Sequence, residues 1–433
     1  MYGFKDFDIR GTKEEGVDEK LAEKVGIYFP DVNKEKSIIV GHDHRKTSKA
    51  LLKRLIKGLK YRGLEIYNVG LCTSPAFYYA VRKFNFKSGI MITASHSPKE
   101  QNGFKFVKEN SQPIYSVNGL DLLEKLVIKS PKRKPKTGGV VRNVSFYNLY
   151  HDDLLNDSKV CKKLKIVVDA GNGMGALDIP LLRKLADVRI MNSKLNPDFP
   201  GRGPNPILPD VLVKLCEKVK MEKADFGVGY DGDADRSVFV DNLGKVIPAD
   251  YMMALFADKL AKAKNTLVYD LRLTKAIEDV AKKRKLKIVK SKVGHSRVVD
   301  MMIRHDGVVG AEYSCHFYFK DLAYTDSGIY ATLKLLEIVS KEKNKLSSLL
   351  KKYKKYYLSE EINLKVADKS KIKQFDRDHG KHSHLDGYSV DHGDVWYNVR
   401  ASHTEDLVRI RVEAKTQKLM KDKINEIKDR LLN

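Results

Sequence analysis

At 433 residues, with 42% hydrophobic and 32% charged residues, the chain is too long for one ordinary core, and length alone predicts roughly three globular domains. No apolar run reaches membrane-spanning length, the opening Met1-Tyr2-Gly3-Phe4-Lys5-Asp6 lacks the apolar stretch of a signal peptide, and four scattered cysteines without a C-x-x-C pair indicate neither a disulfide framework nor a zinc site. The excess of 81 basic over 56 acidic residues suits nucleic acid, a membrane surface or a small anionic substrate, but the one dense cluster, Lys129 to Lys136, has no interleaved aromatics and no reading motif. A cytoplasmic protein with no specific nucleic-acid partner and no membrane partner is therefore expected.

The first segment carries Phe7-Asp8-Ile9-Arg10-Gly11, a helix-like stretch, and the strand Ser37-Ile38-Ile39-Val40 running into Gly41-His42-Asp43-His44-Arg45. Strand and helix patterns alternate through Leu64 to Val69 and the helix around Phe77 to Val81, which predicts an α/β domain with a largely parallel sheet. Loops after the carboxyl ends of such strands line ligand crevices, so Arg10 and Arg45 are candidates for meeting a phosphate, although each reads equally as a surface salt bridge. The apolar run Gly89-Ile90-Met91-Ile92 then leads into Thr93-Ala94-Ser95-His96-Ser97-Pro98-Lys99-Glu100-Gln101-Asn102-Gly103-Phe104-Lys105-Phe106. Ser95 falls just past a strand end, in a loop broken at Pro98 and Asn102-Gly103. A serine there needs a cation for the moving phosphate and a group to handle its proton; alone, it would read as a turn or N-cap residue.

The proline-flanked basic run from Lys129 to Lys136 reads as a linker. A second α/β unit begins with Leu164 to Asp169 and Ala170-Gly171-Asn172-Gly173-Met174-Gly175-Ala176. Gly171, Gly173 and Ala176 fit a loose dinucleotide fingerprint, but no acidic residue ends the next strand, where Asn192-Ser193 follows Met191; the glycines read as a tight strand-to-helix turn. Between the strands Asp225 to Gly229 and Ser237 to Val240 lies Tyr230-Asp231-Gly232-Asp233-Ala234-Asp235-Arg236. Three carboxylates at alternate positions repel one another unless a cation sits among them, and hard oxygen donors favour Mg²⁺ or Ca²⁺. Positions six and twelve of an EF-hand would hold Gly and Glu; here they hold Arg236 and Asn242, which points to a compact catalytic Mg²⁺ site.

A third unit carries Thr266 to Asp270, Leu286 to Val289 and Val308 to Gly310, with the loops Val293-Gly294-His295-Ser296-Arg297 and Ala311-Glu312-Tyr313-Ser314-Cys315-His316. Glutamate with serine can bond adjacent sugar hydroxyls and histidine can move a proton near neutral pH, though the same groups would serve as core polars. After lysine-rich helices the composition shifts to a smaller α+β tail. It holds Asp394 to Val399, then Arg400-Ala401-Ser402-His403-Thr404-Glu405, then the alternating strand Leu407 to Val412 and a closing helix. The planar fork of Arg400 with the Ser402 and Thr404 hydroxyls suits a phosphate monoester, while a capped hairpin turn is the plainer reading.

With these four loops in this order, the chain resembles the α-D-phosphohexomutase family over nearly its whole length. The resemblance implies an α/β protein of four domains: three consecutive α/β domains with mixed, largely parallel sheets, and a smaller C-terminal α+β domain around a central cleft. Their expected extents are 1–142 with a phosphoserine loop, 143–246 with a metal loop, 247–355 with a sugar loop and 356–433 with a phosphate loop. Periodicity alone predicts only several α/β units and a different tail.

The resemblance further implies that Ser95 is the serine phosphorylated in the active enzyme, that Asp231, Asp233 and Asp235 hold one Mg²⁺ together with a Ser95 phosphoryl oxygen, and that Arg236 sits beside them. Glu312 and Ser314 match the pair that grips sugar hydroxyls, and Arg400, Ser402 and Thr404 the set that holds the nonreacting phosphate. Lys105 matches the proposed general base, His316 the proposed acid and Arg10 the arginine near the reacting phosphate, while His295 contacts substrate or orders its Gly-His-Ser turn. Supporting positions depart from the family pattern at Ser97, His403 and Asp406, and Cys315 replaces a small residue beside the sugar site. The run His316-Phe317-Tyr318-Phe319-Lys320-Asp321, with Asp326-Ser327-Gly328, is most similar to the phosphomannomutase branch.

The implied activity interconverts hexose 1-phosphate and hexose 6-phosphate, mannose favoured, through phosphoserine and a hexose 1,6-bisphosphate that also serves as activator. Phosphoglucomutase and phosphoglucosamine mutase are the alternatives within the class, and a non-catalytic sugar-phosphate-binding protein the alternative outside it. The partners expected are small hexose phosphates, in a monomer or homodimer.

Overall fold

The run Ser37–His42 is buried almost throughout because helices cover both faces of the sheet it centres. Side chains alternate across a strand, so Ile38 and Val40 join a core built by the helices Glu19–Val32, Ser48–Tyr61 and Leu120–Lys129. On the opposite face the Phe77 ring of helix Ser74–Lys83 lies against Gly41 and Gly89. The computed structural model describes residues 3–402 and 406–433, and the chain divides into two compact units, Met1–Pro248 with Ser314–Ser348 and Ala249–Tyr313 with Leu349–Asn433.

The first unit contains two sheets among its described residues. In one, Ser88–Ile92, Ser37–His42, Glu65–Leu71 and Val140–Asn143 run parallel, while Asn102–Lys108 pairs antiparallel with both Ser88–Ile92 and Ile9–Gly11. In the other, Phe226–Tyr230, Lys165–Asp169 and Asp187–Met191 run parallel and Ser237–Asp241 returns antiparallel to Phe226–Tyr230. The second unit holds three parallel strands, Lys287–Ser291, Thr266–Asp270 and Gly307–Ala311, and an antiparallel sheet whose central strands are Val395–Ala401 and Val408–Ala414. The closing helix Gln417–Leu432, capped by the Thr416 side chain, packs Ile427 and Leu431 onto that antiparallel sheet. The architecture is the expected one of α/β domains with mixed sheets and a smaller C-terminal domain.

The stretch that reads as a linker is fastened instead. Tyr28 Oη donates to the Pro131 carbonyl at 3.0 Å, Tyr61 Oη to that of Arg133 at 2.5 Å, and the Arg133 guanidinium meets Asp31 at 3.0 Å. The run then continues into the edge strand Val140–Asn143 of the first sheet. Its basic residues are held by hydroxyls and a carboxylate more than fifty residues away in sequence, which no local pattern reveals.

Among the described residues no helix is long and apolar enough to cross a membrane.

Candidate active site

Three of the sequence-defined loops leave strand carboxyl ends: Ser95 follows Ser88–Ile92, the acidic loop follows Phe226–Tyr230, and Glu312 follows Gly307–Ala311. The phosphate loop likewise follows Val395–Ala401 in the antiparallel sheet.

In the first unit, Ser95 is 2% exposed and takes the left-handed conformation, φ 49°, which is uncommon and strained for a non-glycine residue. Its amide donates to Thr93 Oγ1 at 3.0 Å and its hydroxyl to Asp231 Oδ2 at 2.7 Å. Arg45 holds the loop in place. Its guanidinium donates to the carbonyls of Ser95, Ser97, Pro98 and Gln101 at 2.7 to 2.8 Å and pairs with Asp43 at 3.3 Å. Arg45 is thus a buried buttress, neither the phosphate-facing arginine nor the surface ion pair that its position suggests.

The acidic loop reaches Ser95 because Gly232 has no side chain: a Cβ there would stand 2.3 Å from the Ser95 carbonyl oxygen. Asp231, Asp233 and Asp235 are all buried, and one oxygen from each lies within 4.8 Å of the others. Lys105 Nζ donates to Asp233 Oδ2 at 2.7 Å and Asp235 Oδ2 at 2.6 Å, and Ser74 Oγ to Asp233 Oδ2 at 2.6 Å. Among the described residues, Asp233 Oδ1 and Asp235 Oδ1 are buried without a hydrogen-bond partner. Orphaned carboxylate oxygens in a three-carboxylate loop are an oxygen-only donor set, which fits a hard divalent cation such as Mg²⁺.

Charges in this cluster are strongly perturbed. Burial, then the neighbouring Asp235 and Asp233, pushes Asp231 well above the usual carboxylate range. Burial would do the same to Asp235, but Lys105 and His316 outweigh it and hold Asp235 low. Burial would lower Lys105; Asp233 and Asp235 reverse this and hold it as an ammonium. His96 is kept neutral by burial and then by Arg236, Arg10, His316 and Lys105.

Arg236 Nε donates to His316 Nε2 at 2.9 Å, so that nitrogen carries a lone pair and the ring proton resides on Nδ1, 2.5 Å from Asp326 Oδ2. Arg10 pairs with Asp8 at 2.5 Å and donates to Ser97 Oγ at 3.0 Å, while its buried Nε has no partner. The departure at Ser97 therefore supplies the acceptor that positions Arg10. Cys315 also adopts a left-handed φ, 62°, which is uncommon for a non-glycine residue.

In the second unit, Arg400 is 4% exposed; its Nη2 donates to Glu361 Oε1 at 2.9 Å, and its buried Nε has no hydrogen-bond partner among the described residues. Arg272 donates to the other side of Glu361 at 3.2 and 3.3 Å and to Asp270 at 2.6 and 3.0 Å, and stacks over the Tyr313 ring at 5.1 Å. Burial would raise Glu361, but Arg272 and Arg400 outweigh it and hold it at about 2. Ser402 is buried at the end of its strand, its amide donating to the Leu407 carbonyl at 2.9 Å. Thr404 and its neighbour His403 lie outside the described residues. Glu312 accepts from the Gly294 amide at 3.2 Å, which places it at the turn leading into helix His295–Arg304. Ser314, at the first unit's boundary, is half-buried.

The first unit thus gathers Ser95, Lys105, Arg236, His316 and the three aspartates, with Arg10 bonded to the serine loop through Ser97; the second holds Glu312, His295, Arg400 and Ser402. Sequence reasoning missed Ser74, Asp326, Asp270, Arg272 and Glu361. Asp270 and Arg272 had a signal, a strand end reading Asp-Leu-Arg; Glu361 had none, because its partners lie 39 and 89 residues away.

Comparison with known proteins agrees with this arrangement. Four models of phosphoglucomutase/phosphomannomutase domains match: α/β/α domain I over residues 1–126, domain II over 148–244, domain III over 248–356 and the C-terminal domain over 361–430. The chain is 34% identical over 425 residues to a Xanthomonas campestris protein described as phosphohexose mutases, covering 95% of each. It is 32% identical to a phosphomannomutase of Methanocaldococcus jannaschii, covering 98% of this chain and 96% of that one. A crystal structure of a phosphoglucomutase/phosphomannomutase family protein from Burkholderia thailandensis superposes with a TM-score of 0.92 at 26% identity, over 99% of this chain and 96% of that one.

Proposed function

The chain belongs to the α-D-phosphohexomutase family, that of the phosphoglucomutases and phosphomannomutases, and from that membership we propose a reaction course and a substrate for it. It is a phosphohexomutase, a sugar-phosphate mutase. We propose that it interconverts hexose 1-phosphate and hexose 6-phosphate, with mannose phosphates favoured, through phospho-Ser95 and a hexose 1,6-bisphosphate. The observation that carries this reading is the Ser95 hydroxyl at 2.7 Å from Asp231 in a loop with two orphaned carboxylate oxygens.

In the first half-reaction the free sugar hydroxyl oxygen bonds to the phosphorus on Ser95 as the P–Oγ bond breaks. The hydroxyl proton ends on Ser95 Oγ. The second half-reaction runs the same exchange from the opposite phosphate of the bisphosphate. Bound at Asp231, Asp233 and Asp235, Mg²⁺ supplies positive charge that offsets the triad and the transferring phosphoryl group. Lys105 and His316 are assigned the proton relay. Lys105, an ammonium shared by two aspartates, must first release a proton to act as base, and His316 also fixes Arg236 through Nε2. Arg236 and Arg10 add positive charge beside the phosphoryl group, where such transfers gain most of their barrier reduction.

Glu312 and Ser314 are assigned the sugar hydroxyls, His295 the ordering of their loop or a substrate contact, and Arg400, Ser402 and Thr404 the nonreacting phosphate. The Arg400 Nε, which has no hydrogen-bond partner among the described residues, supports an anion there. The mannose preference is supported by relatives named phosphomannomutase.

Two assays test the proposal. Ser95→Ala, supplied with hexose 1,6-bisphosphate, should lose turnover; full retained activity would remove Ser95 from the reaction. A higher kcat/KM for mannose 1-phosphate than for glucose 1-phosphate or glucosamine 1-phosphate is expected, and the reverse order would reassign the substrate.

A further inference from the structure

Three of the chain's twelve histidines fall within six residues of the C-terminal domain, in Asp376-Arg377-Asp378-His379-Gly380-Lys381-His382-Ser383-His384. The proposed mutase chemistry uses none of them. The 3₁₀ segment Lys369–Arg377 ends beside Asp376, and the chain turns through Gly380, φ 133°, where a Cβ would meet the Asp391 carbonyl oxygen at 2.8 Å. It then enters the strand Lys381–Ser383, last in the order of its sheet and paired with Tyr388–Asp391.

His382 on the strand and His384 just past its end present neighbouring rings, stacked at 6.4 Å and 27°. The edge of the His384 ring meets Tyr388, and its Nε2 lies 2.6 Å from Asp376 Oδ1. His382 Nε2 lies 2.5 Å from the Asp378 carbonyl oxygen. One donor atom from each of Asp376, His382 and His384 lies within 4.8 Å of the other two, and all three side chains are exposed.

We propose that Asp376, His382 and His384 form a binding site for one divalent ion of the borderline class, Zn²⁺ foremost. Two imidazoles and one carboxylate suit Zn²⁺, Ni²⁺ or Cu²⁺ and disfavour Mg²⁺, which prefers an all-oxygen octahedron. Zinc bonds of about 2.0 to 2.2 Å require the donors to close to roughly 3.4 Å, a small motion for exposed side chains, and leave a fourth position for water. The ion would tie the end of Lys369–Arg377 to the edge strand Lys381–Ser383. The donor chemistry separates this site from the Asp231, Asp233 and Asp235 loop, and the proposal does not depend on the mutase reading.

The test is equilibrium dialysis of the full-length protein against Zn²⁺ with saturating Mg²⁺ present, for the wild type and for a His382→Ala/His384→Ala variant. The wild type should bind one equivalent more than the variant, or bind that equivalent at least ten times more tightly. Equal binding, or no zinc retained by the wild type, overturns the site. As a second readout independent of any variant's folding, the wild type carrying one Cu²⁺ should show electron paramagnetic resonance coupling to two imidazole nitrogens. Coupling to fewer than two would also overturn it.

Discussion

The Ser95 loop region and the Arg400 region differ in how their buried carboxylates are paired. Around Ser95, one ammonium bonds two of the three buried aspartates, and among the described residues two of their carboxylate oxygens accept no hydrogen bond. Around Arg400, two buried guanidiniums share Glu361, Arg272 is paired with Asp270 as well, and among the described residues the Arg400 Nε donates no hydrogen bond. A buried polar atom without a partner carries a desolvation cost, so the orphaned carboxylate oxygens of the first region fit a cation, while its Arg10 Nε and the Arg400 Nε of the second fit an anion.

The largest effect should come from the acidic loop of the first region. Asp231→Asn removes a negative donor and the acceptor of the Ser95 hydroxyl, and should lower kcat on the order of 10³-fold in steady-state assays. Chelation of divalent cations should mimic it, with activity restored by Mg²⁺. If Asp231→Asn turns over like the wild type, the acidic imbalance has no catalytic meaning.

In the second region Arg400→Lys keeps the charge but loses the planar fork. It should lower kcat/KM by about 10- to 100-fold, chiefly through KM, if Arg400 grips an anion. An unchanged KM would leave Arg400 as a partner of Glu361 alone.

The smallest effect separates carboxylates that have a cation from those that do not. Whereas Arg272 and Arg400 hold Glu361 low, burial raises Glu413 to about 7, because the Thr274 hydroxyl and the Lys275 amide that bond it offset only part of that cost. Its folded value exceeds the ordinary one, so the folded chain binds the proton more tightly. Its contribution is fully present below the unfolded value and is lost as pH rises through about 7. Between pH 5 and 8 it should cost about 2 kcal/mol, seen as a falling thermal midpoint. Glu413→Gln should flatten that fall, and a slope unchanged by the substitution would contradict the assignment.

Much of this contrast was readable in the chain because the groups that do chemistry sit in short loops behind apolar runs. The strands ending at Ile92, Tyr230, Ala311 and Ala401 follow from β-rich runs bounded by turn residues, and the alternating aspartates announce a cation by electrostatics alone. What stayed hidden depends on distance in sequence. Arg45 lies 50 to 56 residues from the carbonyls it holds, so nothing local distinguishes a buttress from a phosphate ligand. The same is true of Glu361 between Arg272 and Arg400, and of the basic run whose partners are Tyr28, Asp31 and Tyr61. Periodicity locates elements, but ion pairs between elements are set by the fold.

The central claim is that Ser95 carries the phosphoryl group, and intact-protein mass measurement tests it most directly. Wild-type protein incubated with hexose 1,6-bisphosphate and Mg²⁺ should gain the mass of one phosphoryl group, mapped by fragmentation to Ser95, and Ser95→Ala should gain none. A wild type that turns substrate over without acquiring that mass, or that carries it on another residue, would contradict the account.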